Sequence, residues 1–182
     1  MVLSGPFALL ALLLVAAGAS EAIRPEPVVG GLHGVGLYRV GLPVSRWAVR
    51  LGAIGECLLG VAALFSSSRP VAVLVALSFL SFAAFIAAAL RRPGSVSSCG
   101  CFGADESPPT PLHLVIDLAL LGLAIAAAAH GALPLRVFVV RHPALSVPFL
   151  AFVCLATWFV YLSVTTLPQL AALIRDGERR EV

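Results

Sequence analysis

The chain has 182 residues, 60% hydrophobic and 12% charged, with a mean hydropathy of +1.03. Soluble domains carry roughly 45–50% apolar and about 25% charged residues, so both departures point to a chain dissolved in lipid. A net charge of +3, with no basic stripe interleaved with aromatics, gives no footing for a nucleic-acid partner. All twelve basic residues are arginine, which reads as a genome bias rather than as chemistry.

A spanning helix needs about 20 mainly apolar residues. Five stretches meet or approach that length, at 2–19, 47–65, 71–90, 112–133 and 144–167. The expected fold is therefore all-α, a polytopic bundle of four to five transmembrane helices in one membrane domain over 1–182, with a charged tail at 168–182. Val2 to Ala19 carries no charge. Its "AAGAS" end would suit a signal-peptide cleavage site. No Lys or Arg precedes the run, however, and the run exceeds a usual signal core, so a retained span is expected. The connection "EAIRPEPVVGGLHGVGLYRVGLPVSR" is rich in Gly and Pro and reads as a loop with a short interfacial helix around Leu32 to Val40.

The second span, Trp47 to Phe65, contains one charge, Glu56. Ala48, Gly52, Glu56 and Gly60 recur every four residues, a stripe whose small members would admit a neighbouring helix and turn Glu56 inward. The third, Val71 to Leu90, is uncharged and stops at Arg91-Arg92-Pro93. The fourth, Leu112 to Leu133, holds Asp117 early, with His113 four residues before it on the same face. Such a pair can share a proton or a hydrogen bond. A carboxylate at bilayer depth costs on the order of a few kcal/mol, so Glu56 and Asp117 each need a role. That role is either fixing helix packing as a protonated or paired group, or handling protons. His33, His130 and His142 read as surface or interfacial. In the fifth span, Ala144 to Leu167, Pro148 is expected to kink the helix or delay its start, and Pro168 followed by "RDGERREV" to end it.

Between the third and fourth spans lies "SSCGCFGADESPP", with two of the chain's four cysteines. Gly100 relieves crowding between Cys99 and Cys101, and Gly103 frees the exit turn after Phe102, which is expected to pack the loop onto the bundle. A bridge across one residue is strained, hence easily reduced, and suits exchange better than a permanent staple. Asp105 and Glu106 oppose thiolate formation, and only Arg91 and Arg92 nearby favour it. A metal set of Cys99, Cys101 and His113 matches no common zinc spacing and lacks a fourth ligand, so no metal is expected. Cys57 and Cys154, mid-span, read as small packing residues.

With five spans, the first connection, the cysteine loop and the C-terminal tail share one face. That face holds nine of the twelve arginines; only Arg69, Arg136 and Arg141 lie on the other. The positive-inside rule places the loop in the cytoplasm, whereas disulfide chemistry points to an oxidising compartment. The two arguments oppose each other.

The assembled residues resemble the methylamine utilisation protein MauE family, related to the DoxX-like membrane proteins. The resemblance rests on "CGCFG" at Cys99 to Gly103, on "GECLLG" with Glu56 and Gly60, on Asp117 early in the following span, and on the opening "AAGASEAIRPEP". It covers roughly Leu9 to His130. It implies maturation of the methylamine dehydrogenase small subunit, a disulfide-rich periplasmic protein with a tryptophan-derived quinone, beside a thioredoxin-like partner. Cys99 and Cys101 would be the redox pair.

The expected protein sits in the cell membrane as a multi-pass thiol–disulfide exchange factor. Cys99 and Cys101 cycle between dithiol and disulfide, while Glu56, His113 and Asp117 form a proton or carrier path. No bound cofactor is evident in the sequence; a lipid-soluble quinone is the candidate electron carrier. The alternatives are a non-enzymatic scaffold whose loop docks a partner, or a small proton-coupled carrier.

Overall fold

The computed structural model describes residues 3–36, 44–92, 109–132 and 134–180. These form seven helices: α1 (Ser4–Ile23), α2 (Glu26–Gly34), α3 (Arg46–Phe65), α4 (Arg69–Leu90), α5 (Pro111–His130), α6 (Leu135–Arg141) and α7 (Pro143–Arg180). Among the described residues there is no strand. Five helices are long and apolar enough to cross a membrane: α1, α3, α4, α5 and, within α7, Pro143–Ser163.

What these helices present outward argues the same way. Trp47, Leu51, Leu58 and Phe65 on α3, Leu74 and Leu77 on α4, and Phe152, Leu155 and Phe159 on α7 are all exposed. Continuous apolar faces of this extent are untenable in water and ordinary in lipid.

α1 is the central helix. It packs chiefly on α3, while α4 packs chiefly on α5. Phe7, Leu10, Leu13 and Leu14 of α1 are buried against Val75 and Phe79 of α4 and Leu120 and Ala124 of α5. Lipid tails are as apolar as leucine, so close packing rather than water exclusion must hold this core together. The tightest seam is α1 on α3. A Cβ added at Gly18 would stand 2.5 Å from the Ala53 carbonyl oxygen, and one at Gly60 2.7 Å from that of Ala11. Only glycine permits either approach.

The expected stripe Ala48, Gly52, Glu56 and Gly60 approaches a neighbour closely at Gly60; Gly52 has open space in front of it, and Ala48 is exposed. The cause is helical drift. Each step of four residues overshoots a full turn by about 40°, so four such positions fan out rather than align. The buried line is Ala53, Gly60 and Ala63, with Glu56 between them and half-buried.

Several boundaries differ from expectation. α1 continues past Ala19 to Ile23, because nothing disfavours helix until Arg24, which Pro25 holds out of the α region. A connecting helix lies at Glu26–Gly34, since prolines at its start are preset for a first turn, and it ends before Gly36, at φ +79°; of the expected Leu32 to Val40, Leu32 to Gly34 are helical. Residues 37–43 lie outside the described residues. α7 starts at Pro143 with Pro148 inside it, and Pro168 does not end it: the helix reaches Arg180. The Ala, Leu, Gln, Glu and Arg that follow Pro168 are strong helix formers, and they outweigh the single backbone bond a proline removes. A helix of 38 residues is roughly 57 Å long, well beyond a hydrocarbon core of about 30 Å, so its last turns project past the membrane.

The alternation of the five spans places the C-terminal ends of α1, α4 and α7 with the N-terminal ends of α3 and α5. Contacts at both ends agree with this. The Arg92 guanidinium donates to the Val35 carbonyl at one end, and the Ser67 hydroxyl to the Ala132 carbonyl at the other.

Candidate functional site

The titratable groups inside the bundle lie toward the end where the chain leaves α4 and re-enters at α5, whereas buried Ser4 and Ser146 lie at the other end. His113 is the third residue of α5 and is 3% exposed. Thr110 caps the helix. Its N–H donates to His113 Nδ1 at 3.2 Å, and its hydroxyl lies 2.8 Å from the same nitrogen. Accepting from the backbone commits Nδ1, so the neutral imidazole carries its proton on Nε2. His113 thus owes its orientation to a helix cap, a partnership that its spacing from Asp117 did not reveal.

Asp117, one turn deeper, lines a small cavity of about 30 Å³ together with His113 and Glu21. Leu13, Leu14, Phe79 and Leu120 form much of its apolar wall. That volume accommodates a water molecule, and three polar side chains around it meet the usual requirement of two to four partners.

Glu21 is the residue the sequence reading missed. With the first span ended at Ala19, it fell into the connecting loop. In the structure it lies inside α1 and is 7% exposed. The signal was present: Leu14, Ala17, Gly18 and Glu21 recur at the three- and four-residue spacing of one helical face.

Glu21 also borders a second, larger cavity, a groove of about 450 Å³ bounded by α2, α3 and α4, and Glu56 lines this groove with it. Glu56 Oε2 is buried and has no hydrogen-bond partner among the described residues. Glu21 therefore stands where the two spaces meet, with His113 and Asp117 on one side and Glu56 on the other. Counting 1.5 Å per residue from the helix ends at this face, Glu21 and His113 lie roughly 3 Å deep, Asp117 roughly 9 Å and Glu56 roughly 15 Å.

Cys99, Gly100, Cys101, Phe102 and Gly103 lie outside the described residues. Of the other two cysteines, both free thiols, Cys57 is half-buried on α3, where its backbone meets Gly18. Cys154 is exposed on α7 and so packs against lipid rather than inside the bundle. Among the described residues no three His, Cys, Asp or Glu side chains come together as a metal site.

Residues 1–130 match the family described as methylamine utilisation protein MauE, a stretch that takes in α1 to α5 and every polar group of the cluster. No curated protein and no solved structure matches the chain. With its five apolar helices it is a multi-pass membrane protein, and it belongs to the methylamine utilisation protein MauE family.

Proposed function

We propose that this protein performs thiol–disulfide exchange at the membrane surface, with Cys99 and Cys101 as the exchanging pair, in the maturation of a partner protein. The observation that carries this reading is the meeting of buried Glu21 and His113 with half-buried Asp117 around one cavity, at the end of the bundle from which residues 93–108 leave and to which they return. Cys99 is seven residues from Arg92 and Cys101 eight from Pro109, so the chain limits both to within about 25–30 Å of those anchors.

In the oxidised state a thiolate of the partner attacks one sulfur of the Cys99–Cys101 disulfide and forms a mixed disulfide, releasing the other sulfur as a thiolate. The partner's second thiolate then breaks that bond. The partner gains a disulfide, and Cys99 and Cys101 keep two electrons and two protons as a dithiol. Regeneration transfers those to an acceptor, for which a lipid-soluble quinone is the fitting class, becoming a hydroquinone. Glu21 and His113, then Asp117, then Glu56 supply a graded series of proton carriers from the surface inward. The partners in this reading are a thioredoxin-like protein and a maturing redox-enzyme subunit such as that of methylamine dehydrogenase.

Trapping of thiols in intact cells with a membrane-impermeant alkylating reagent, before and after mild reduction, tests the reading. Cys99 and Cys101 should shift between reactive and protected, and Cys99→Ser with Cys101→Ser should abolish partner maturation. If the two remain reduced in every condition and the double variant matures its partner normally, the exchange reading fails. A proton-coupled carrier, which uses the same buried acids without the thiols, would then account for the cluster.

A further inference from the structure

The groove between α2, α3 and α4 has a composition of its own. Its walls are apolar and include the rings of Phe82 and Phe85, and its carboxyl groups are those of Glu21 and Glu56. At about 450 Å³ it falls in the size range of small-molecule sites, about 300–1,000 Å³. Gly52 borders it, and a Cβ there would meet nothing within 4 Å. α3 is held by α1 and α4 by α5, so the groove is the cleft between two helix pairs, and outward-facing Leu51, Ile54 and Leu80 on α3 and α4 border lipid.

We propose that this groove binds the head group of a membrane-dissolved benzoquinone and its hydroquinone, with Glu56 and Glu21 as the polar contacts. The inference rests on the exchange reading for its purpose but on the groove alone for its binding. Two carboxyl groups would repel a phosphate head group, and a cation such as Ca²⁺ takes 6–8 oxygen ligands, more than this apolar lining presents. A neutral, flat, aromatic head group with two oxygens fits both the rings and the acids.

A carboxyl group also suits both redox forms. Protonated, it donates to a quinone carbonyl; ionised, it accepts from a hydroquinone hydroxyl. Glu56 lines the groove, and turning its carboxyl about the terminal bond would present the buried, unpartnered Oε2 to such a head group. In the coupled reaction the Cys99 and Cys101 thiols lose two electrons and two protons as their S–S bond forms. The quinone takes both electrons and both protons and becomes the hydroquinone.

The test uses the full chain in nanodiscs of zwitterionic lipid, a photoactivatable azido-benzoquinone as probe and decylubiquinone as competitor. Label is expected on peptides of α3 and α4 around Gly52 to Glu56 and Ser81 to Phe85, and the competitor should remove it. Gly52→Leu projects into the groove from a position where a Cβ meets nothing within 4 Å, so the protein should fold and the labelling fall by about tenfold or more, at least 1.4 kcal/mol of affinity. Glu56→Gln, which keeps the shape, should weaken binding by about 3- to 10-fold, as expected for loss of one hydrogen bond. The double variant Cys99→Ser, Cys101→Ser should bind like the wild type, so loss of the exchange reading would leave the site standing. Label outside the groove, unsaturable labelling, or a folded Gly52→Leu variant that labels normally would overturn the site.

Discussion

A single substitution, glycine to alanine, should have opposite effects at two positions of the bundle. At Gly18 the added methyl carbon would stand 2.5 Å from the Ala53 oxygen and 2.6 Å from the Cys57 nitrogen, both backbone atoms that cannot rotate away. Cβ contacts essentially never fall below 3.0 Å, so α1 and α3 must part by at least half an ångström. A radial gap of about 0.5–1 Å forfeits a quarter to a half of each pairwise attraction along the seam, and overpacking of this kind typically costs about 1–3 kcal/mol. At Gly52 the same carbon meets nothing within 4 Å. There alanine only stiffens the helix, a gain of about 0.5–1 kcal/mol. Reversible unfolding in mixed micelles, followed by circular dichroism as the fraction of sodium dodecyl sulfate rises, measures both. Gly18→Ala should move the midpoint down and Gly52→Ala hold it or raise it. Equal midpoints for the two variants would refute the packing of α1 on α3.

Two further outcomes follow from the same geometry. Thr110→Val removes the hydroxyl that contacts His113 Nδ1, and should cost about 1 kcal/mol of stability, as loss of a helix cap does; thermal melting of the detergent-solubilised protein measures it. Reporter fusions placed after Val182 and within Gly94 to Ser98 should report the same side of the membrane, because α4 and α7 run in the same direction through the bundle. Opposite sides would remove one of the five spans.

The five spans were legible because each is a run of apolar residues near the length of a bilayer, a signal that survives without knowledge of partners. The depth of Glu56 and Asp117 followed from those runs. Glu21 did not, because its burial depends on α1 continuing to Ile23 and on which helix faces it, and no period within one helix states that. The Thr110–His113 cap was legible in principle, since a threonine three residues before a polar side chain marks a helix start, but the four-residue spacing of His113 and Asp117 points equally to a pairing of those two. α7 ran past Pro168 because a strong helical tail outweighs one lost backbone bond, a comparison of magnitudes rather than of residue types.

The seam of small residues and the acid cluster are parts of one arrangement. Gly18 lets α1 rest on the backbone of Ala53 and Cys57, the residues around Glu56, and Glu21 follows Gly18 by less than a turn. The closeness of the helices there is what sets Glu21 and Glu56 on the same groove. A displacement of half an ångström is the tolerance within which a binding constellation must be held, about 0.5 Å. Gly18→Ala should therefore weaken quinone-probe binding by about threefold or more, the worth of one impaired hydrogen bond, without altering either acid. Gly60→Ala is the control. Its clash, 2.7 Å from the Ala11 oxygen, destabilises the same helix pair, but Ala11 is ten residues from Glu21, roughly 15 Å along α1, and Gly60, though one turn past Glu56, does not line the groove. Its binding should stay near that of the wild type at comparable loss of stability. Equal loss of binding in both variants would mean that the probe responds to general loosening of the bundle, and the spacing of the two carboxyl groups would not be what the glycine at position 18 protects.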